Sequence, residues 1–154
     1  MGTIDVYLRQ HPIFEGLSEQ QLKQITAHAS SVTFHAGQKI FAENSDADKF
    51  YILRSGKVAL EIPRPFHEGR FELQLLGEGD VLGWSWFIEP FKWHFDARAK
   101  EMTRAIAFDA NELKQLCESD MALGFEFTKR FSKLMLQRLN ATRFRLVELA
   151  TKRP

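Results

Sequence analysis

Residues 49–62 read Lys49-Phe50-Tyr51-Ile52-Leu53-Arg54-Ser55-Gly56-Lys57-Val58-Ala59-Leu60-Glu61-Ile62. Four consecutive apolar residues, Phe50 to Leu53, have the length and bulk of a buried strand, and Ser55-Gly56 supplies a turn. Val58, Leu60 and Ile62 then alternate at the two-residue period of a half-buried strand. Working outward, the same grammar continues on both sides. Upstream, Val32 and Phe34 alternate, Ala36-Gly37 turns, Lys39-Ile40-Phe41 is extended, and Asn44 to Asp48 is a turn cluster. Downstream, Pro63 to Gly69 is a polar hairpin tip, Phe71, Leu73 and Leu75 mark a return strand, and Gly77-Glu78-Gly79-Asp80 turns again. Ala97 and Ala99, then Ala105, Ala107 and Phe108, belong to two further strands. Short strands with a turn between each predict a compact antiparallel sandwich or barrel.

Helical signals flank this region. Ser18-Glu19-Gln20-Gln21 forms a capping box, and Leu22, Ile25 and Ala29 follow at helical spacing, which predicts a helix over about 19–29. Asp109-Ala110-Asn111-Glu112 reads as a second capping box opening a short helix that ends near Cys117. A longer helix is predicted over about 121–151. Its seam, Met135, Leu139, Thr142, Leu146 and Leu149, has the 4-3-4-3 spacing of two-stranded helix pairing. Phe127, Phe131 and Leu134 lie on a neighbouring stripe that docks on the β-structure.

The 154 residues suffice for one domain with its own core. A single cysteine excludes an internal disulfide framework and fits a reducing compartment. With no basic-then-apolar leader and no apolar run of ~20 residues, a soluble cytoplasmic protein without a membrane partner is expected. Residues 125–154 carry eight Lys/Arg against two Asp/Glu, a net +6, while the rest, thirteen against eighteen, is −5. A basic helical tail could face nucleic acid or an acidic partner, but a solvated helix whose terminal cations suit the macrodipole explains it as well.

The order of elements resembles the cyclic nucleotide-binding domains of catabolite activator proteins, cyclic-nucleotide-dependent kinases and gated channels. Phe34 to Phe41, Asp48 to Val58, and Leu76 to Gly83 carry the likeness, which spans about residues 11–150. The resemblance implies a mainly β fold, a jelly-roll-like antiparallel β-barrel with flanking helices and a long C-terminal helix. It also implies a division into about 11–120 (first helix, barrel and cassette) and about 121–151 (last helix) within one domain, 1–154. In the transcription-factor branch a DNA-binding module comes next; none follows before Pro154, so direct DNA binding is not expected.

The family's phosphate-binding cassette joins a short helix N-terminus to a Gly-Glu pair that takes the ribose hydroxyl. An Arg-Ser/Thr-Ala triplet then pairs the phosphate charge. Matched onto this chain, Gly83-Trp84 stands at the first position and Trp93-His94-Phe95 at the second, so both ionic ligands are tryptophan. Backbone amides of Gly83, Trp84 and Ser85 could still hold an anion, with Lys92 or Arg98 as compensating cations. Losing a charged hydrogen bond of this type weakens binding by roughly 2–5 kcal/mol. Ordinary cyclic AMP affinity is therefore not expected, and the effector is left as a cyclic nucleotide or another small molecule, with no cofactor required.

Trp84, Trp86, Phe87, Phe91, Trp93 and Phe95 put six aromatics into residues 84–95. They could fill the vacated pocket, line a pocket for a flat ligand, or form an apolar patch for a protein partner. His94 and Asp96, two apart, have no further metal ligands in sequence. Ser85 lacks the second glycine of a nucleophile elbow. No catalytic constellation is present. The expectation is a non-enzymatic, stand-alone ligand-sensing regulatory module with altered or lost specificity, or a scaffold with a dead pocket, or a true cyclic nucleotide receptor with relocated ligands. A homodimer through the last helix is also expected.

Overall fold

A computed structural model describes residues 3–152. Helix α1 (Thr3–Gln10) leads through a 3₁₀ turn (Pro12–Phe14) into α2 (Glu19–Thr26). Eight strands follow: β1 (Ala29–Phe34), β2 (Lys39–Phe41), β3 (Lys49–Ser55), β4 (Val58–Pro63), β5 (Arg70–Leu76), β6 (Val81–Leu82), β7 (Asp96–Ala99) and β8 (Thr103–Asp109). A second 3₁₀ turn, Ser85–Phe87, separates β6 from β7, and α3 (Ala110–Ser119) and α4 (Met121–Thr151) close the chain.

The strands make two antiparallel four-stranded sheets, ordered β1-β8-β3-β6 and β2-β7-β4-β5. The jelly-roll-like barrel expected from sequence is therefore open: the strands form two separate ladders, with β1 and β6 at the edges of one and β2 and β5 at the edges of the other. At the Ser55-Gly56 turn the chain passes from one sheet to the other, since β3 pairs with β8 and β6, whereas β4 pairs with β5 and β7. Gly56 has φ 97°, and a Cβ there would lie 2.4 Å from the Thr103 hydroxyl, so only glycine lets the chain cross so close to β8.

Burial follows the patterning except on β4, where Val58 to Glu61 are all buried, and on β5, where Leu75 is exposed. Phe50, Ile52, Leu53, Val58, Leu60, Ala97, Ala99 and Ile106 are all inside, and α4 adds Leu123, Phe127, Phe131 and Leu134 to the same core. Phe50 lies at the centre, stacked on Phe108 and on Trp86, with the edge of Phe131 against it.

The caps mostly hold. Ser18 and Gln21 form the reciprocal capping box, with Leu17 and Leu22 buried beside it. That helix stops at Thr26, three residues earlier than the apolar spacing predicts, because Ala29 pairs with Phe108 as the first residue of β1. Strand pairing overrides the local period there. At Asp109 only half of the predicted box forms: its carboxylate accepts from the Glu112 amide, and α3 continues two residues past Cys117. Helix α1, whose Leu8 is fully buried, is not among the sequence expectations.

Candidate functional site

The link from β6 to β7 contains the aromatic cluster, and its geometry is set by Gly83. That residue has φ 101°, and a Cβ built on it would lie 2.8 Å from the Trp93 ring. Glycine is thus required twice, for the left-handed backbone and for the close approach of the indole. Trp93 in turn stacks on Phe41, with centroids 3.7 Å apart and planes 7° from parallel. Its backbone is fixed on both sides: Trp93 N–H donates to the Ser45 carbonyl at 3.0 Å, and Asn44 N–H donates to the Trp93 carbonyl at 2.9 Å. The side chain matched to the phosphate-pairing arginine is an indole lying on the cassette backbone, 3% exposed.

Trp86 points the other way, into the core, where it is fully buried between Phe50 and the edges of Phe87, Phe127 and Phe131. Trp84 is half-buried and stacks on the exposed ring of His94, and the His94 Nδ1 shares a 3.0 Å hydrogen bond with the buried hydroxyl of Ser85. The Trp84 indole N–H is buried without a partner. The cassette helix implied by the resemblance is here a single 3₁₀ turn of three residues, too short to add up an appreciable dipole. The tryptophans thus divide: two are packed, and Trp84 with His94 forms the outward rim.

The two candidate replacement cations are engaged elsewhere. Lys92 pairs with Asp46. Arg98 lies on the face of β7 opposite the buried Ala97 and Ala99; its Nε meets Glu61 at 3.3 Å and its Nη1 donates to the Gly37 carbonyl at 2.8 Å.

On that same face Asp96 sits directly across from Glu61 and accepts from the Glu43 amide at 2.8 Å, with Arg70 and Lys39 beside it. Burial alone would raise its pKa, but the Glu43 amide together with Arg70 and Lys39 outweighs burial and holds the carboxyl below its ordinary range. A depressed folded-state pKa means stabilisation that is complete above the unfolded value, about 3.9, and is lost as pH falls through the folded one. Asp96→Asn should lower stability by about 1–3 kcal/mol at neutral pH. In urea melts its deficit should shrink once pH drops below about 4, whereas a constant deficit would mean the charge is not what matters. This network left no clear mark in the sequence, because its members come from β2, β4, β5 and β7 at irregular spacing.

Among the described residues no group of three or more His, Cys, Asp and Glu is placed to hold a metal ion, and no helix is long and apolar enough to cross a membrane. Burial, with Asp120 and Glu118 nearby, pushes the Cys117 thiol up to about 11, the opposite of an activated nucleophile. Along α4, Met135 is half-buried, while Leu139, Leu146 and Leu149 are exposed, Leu139 and Leu146 by 54% and 65%. Thr142, also exposed, turns its hydroxyl back to the Arg138 carbonyl.

Residues 31–120 match the family model of the cyclic nucleotide-binding domain. The chain belongs to that family. Over 147 residues this cyclic nucleotide-binding domain is 28% identical to the CRP-like cAMP-activated global transcriptional regulator of Mycobacterium tuberculosis, a match covering 95% of this chain and 63% of that protein. It therefore spans less than two thirds of the length of that curated relative. Among solved structures it is similar to a cyclic nucleotide-binding protein of Geobacter metallireducens, with a TM-score of 0.80 at 28% identity, covering 90% of this chain and 99% of that one. A cyclic nucleotide-binding domain from Methylobacillus flagellatus superposes equally well, TM-score 0.80, over 99% of this chain and 89% of the other. At 16% identity that second likeness is one of fold alone. Of these relatives the Mycobacterium tuberculosis protein is a transcriptional regulator, and the two solved structures share the fold.

Proposed function

We propose that this cyclic nucleotide-binding domain is a regulatory, non-enzymatic module whose cassette no longer takes a cyclic mononucleotide with ordinary affinity. The observation that carries the reading is the Trp93 indole, seated on Gly83 and stacked on Phe41 in the place matched to the phosphate-pairing guanidinium. A monoanionic phosphate entering there would have to displace a well-packed ring, and the two cations matched to the cassette, Arg98 and Lys92, are already paired with Glu61 and Asp46. Of the sequence-based alternatives, a receptor with relocated ligands is the least supported, because Arg98 on β7 pairs with Glu61 on the neighbouring β4.

A thermal-shift panel tests this. Cyclic AMP, cyclic GMP and cyclic dinucleotides at about 1 mM should leave the melting temperature unchanged, since a ligand stabilises only as RT ln(1 + [L]/Kd). A cyclic AMP shift abolished by Arg98→Ala would establish relocated ligands instead.

The output element in this reading is α4. Its N-terminal half is held in the core by Phe127 and Phe131, which supports reading roll and helix as one domain. Its C-terminal half presents Leu139, Leu146 and Leu149 outward, and a homodimer through this seam accounts for their exposure. Sedimentation equilibrium should show a dimer that Leu139→Glu with Leu146→Glu converts to monomer. A monomer in the parent protein at high concentration removes the dimer and leaves the seam to a protein partner. A cytoplasmic site of action fits the single reduced cysteine, Cys117.

A further inference from the structure

A cavity of about 460 Å³ opens between the first 3₁₀ turn, the turn before β6 and the middle of α4. Neither Trp84, Trp86 nor Trp93 lines it. One wall is nonetheless Gly79-Asp80-Val81, which runs directly into Leu82 and Gly83 of the cassette.

The α4 wall is cationic. Arg130, Lys133 and Arg138 all border the space, Arg130 and Lys133 one turn apart and Arg138 further along the helix. Their existing partners do not use them up. Arg130 donates through Nη1 to the Ile13 carbonyl at 2.7 Å and through Nη2 to Glu126 at 3.0 Å, but its Nε is buried without a partner. Arg138 donates to the Val81 carbonyl, a neutral acceptor. Burial pulls its pKa below the ordinary arginine value, and the nearby Asp80 only partly opposes that, so the guanidinium is undercompensated. Lys133 makes no ion pair among the described residues.

Two carboxylates share the rim. Asp80 accepts from the Gly77 amide at 2.8 Å, and Glu15 is exposed. His11 adds no charge in this arrangement: its Nδ1 accepts from the Ile13 amide at 3.1 Å, so Nε2 holds the proton and donates to the Gly79 carbonyl at 2.7 Å. Ile13, Val81 and Leu134 supply apolar surface beside the cations. The volume falls within the roughly 300–1,000 Å³ of small-molecule pockets, and convergent cations next to an apolar wall are the chemistry of an amphiphilic anion site.

We propose that this cavity is a second effector site, separate from the cassette, for a small organic phosphate whose head meets Lys133 and Arg138 and whose apolar body covers Ile13 and Leu134. Such a ligand bridges α4 to the turn that feeds the cassette and to the N-terminal segment. It therefore favours the arrangement in which α4 is docked on the roll, by the differential-affinity rule that governs any two-state element.

Phenyl phosphate is the probe, added to the full chain with calorimetry and amide NMR as readouts, and benzyl alcohol is the uncharged control. Saturable binding is expected, with shifts at Gly79, Val81, Lys133 and Leu134 and none confined to Trp84 or Trp93; benzyl alcohol should not bind. Lys133→Gln, on an exposed position whose loss leaves folding intact, should weaken phenyl phosphate roughly tenfold, and Arg138→Gln at least as much. Absence of saturable binding overturns the proposal, as does unchanged affinity in Lys133→Gln or a shift map centred on the cassette. Absent binding or an unaffected Lys133→Gln overturns this site alone and leaves the reading of the cassette untouched; only a map centred on the cassette bears on both.

Discussion

Trp86→Ala is expected to lower the unfolding free energy by about 3–5 kcal/mol, the range for removing a large aromatic from a core that cannot collapse around the gap. The reason lies in its contacts. Trp86 is fully buried and lies between Phe50 on one side and Phe127 and Phe131 of α4 on the other. Its loss therefore opens a void where both the roll and the last helix are anchored, rather than at a surface that could relax. Trp86→Phe should cost much less. It keeps most of the packing and removes an indole N–H that is buried with no acceptor, a group whose burial already costs on the order of 1–3 kcal/mol. Chemical denaturation of both variants decides it: equal losses would mean that the ring's contacts are not what holds the segment.

Trp84→Glu combined with Trp93→Arg is expected to raise cyclic AMP affinity about a hundredfold or more over the parent protein. A bidentate guanidinium–phosphate contact and a ribose-accepting carboxylate are together worth several kcal/mol, and restoring a charged pair of this type recovers roughly 2–5 kcal/mol. The geometry favours the exchange, because the side chain at 93 already lies against Gly83 and the ring at 84 is only half-buried. The same exchange removes the stack on Phe41, so the double variant should also melt lower when no ligand is present. Calorimetry on the refolded variant reads both effects. Affinity as weak as the parent's, in a folded variant, would mean that the 3₁₀ turn is too short to hold a phosphate whatever side chains surround it.

Much of the architecture was legible because strand period, turn glycines and helix caps all pointed the same way. Phe50 to Leu53, the Ser18 box and the Phe127, Phe131, Leu134 stripe sit in the fold as their patterns imply. What was not legible depends on contacts distant in sequence. Ala29 fits a helical period and is nevertheless strand, because Phe108 lies opposite it. Whether the sheets close is decided by which edges find partners, and alternation along a strand carries no such information. In the cassette, the identities at 84 and 93 foretold a missing carboxylate and a missing cation. They did not reveal that one indole would fill the cradle through Phe41 while another entered the core beside Phe50. The cavity under α4 gathers cations from one helix and backbone from two distant turns, and no window of sequence contains it.

The account turns on whether the ring of Trp93 shuts out a sugar-phosphate. Titrating the unaltered protein with cyclic AMP in a calorimeter tests that directly. No saturable heat is predicted up to about 1 mM, where a binding free energy near −4 kcal/mol would begin to show. A dissociation constant in the micromolar range, with the bound nucleotide's phosphate against Lys92 or Arg98 in a crystal, would contradict it.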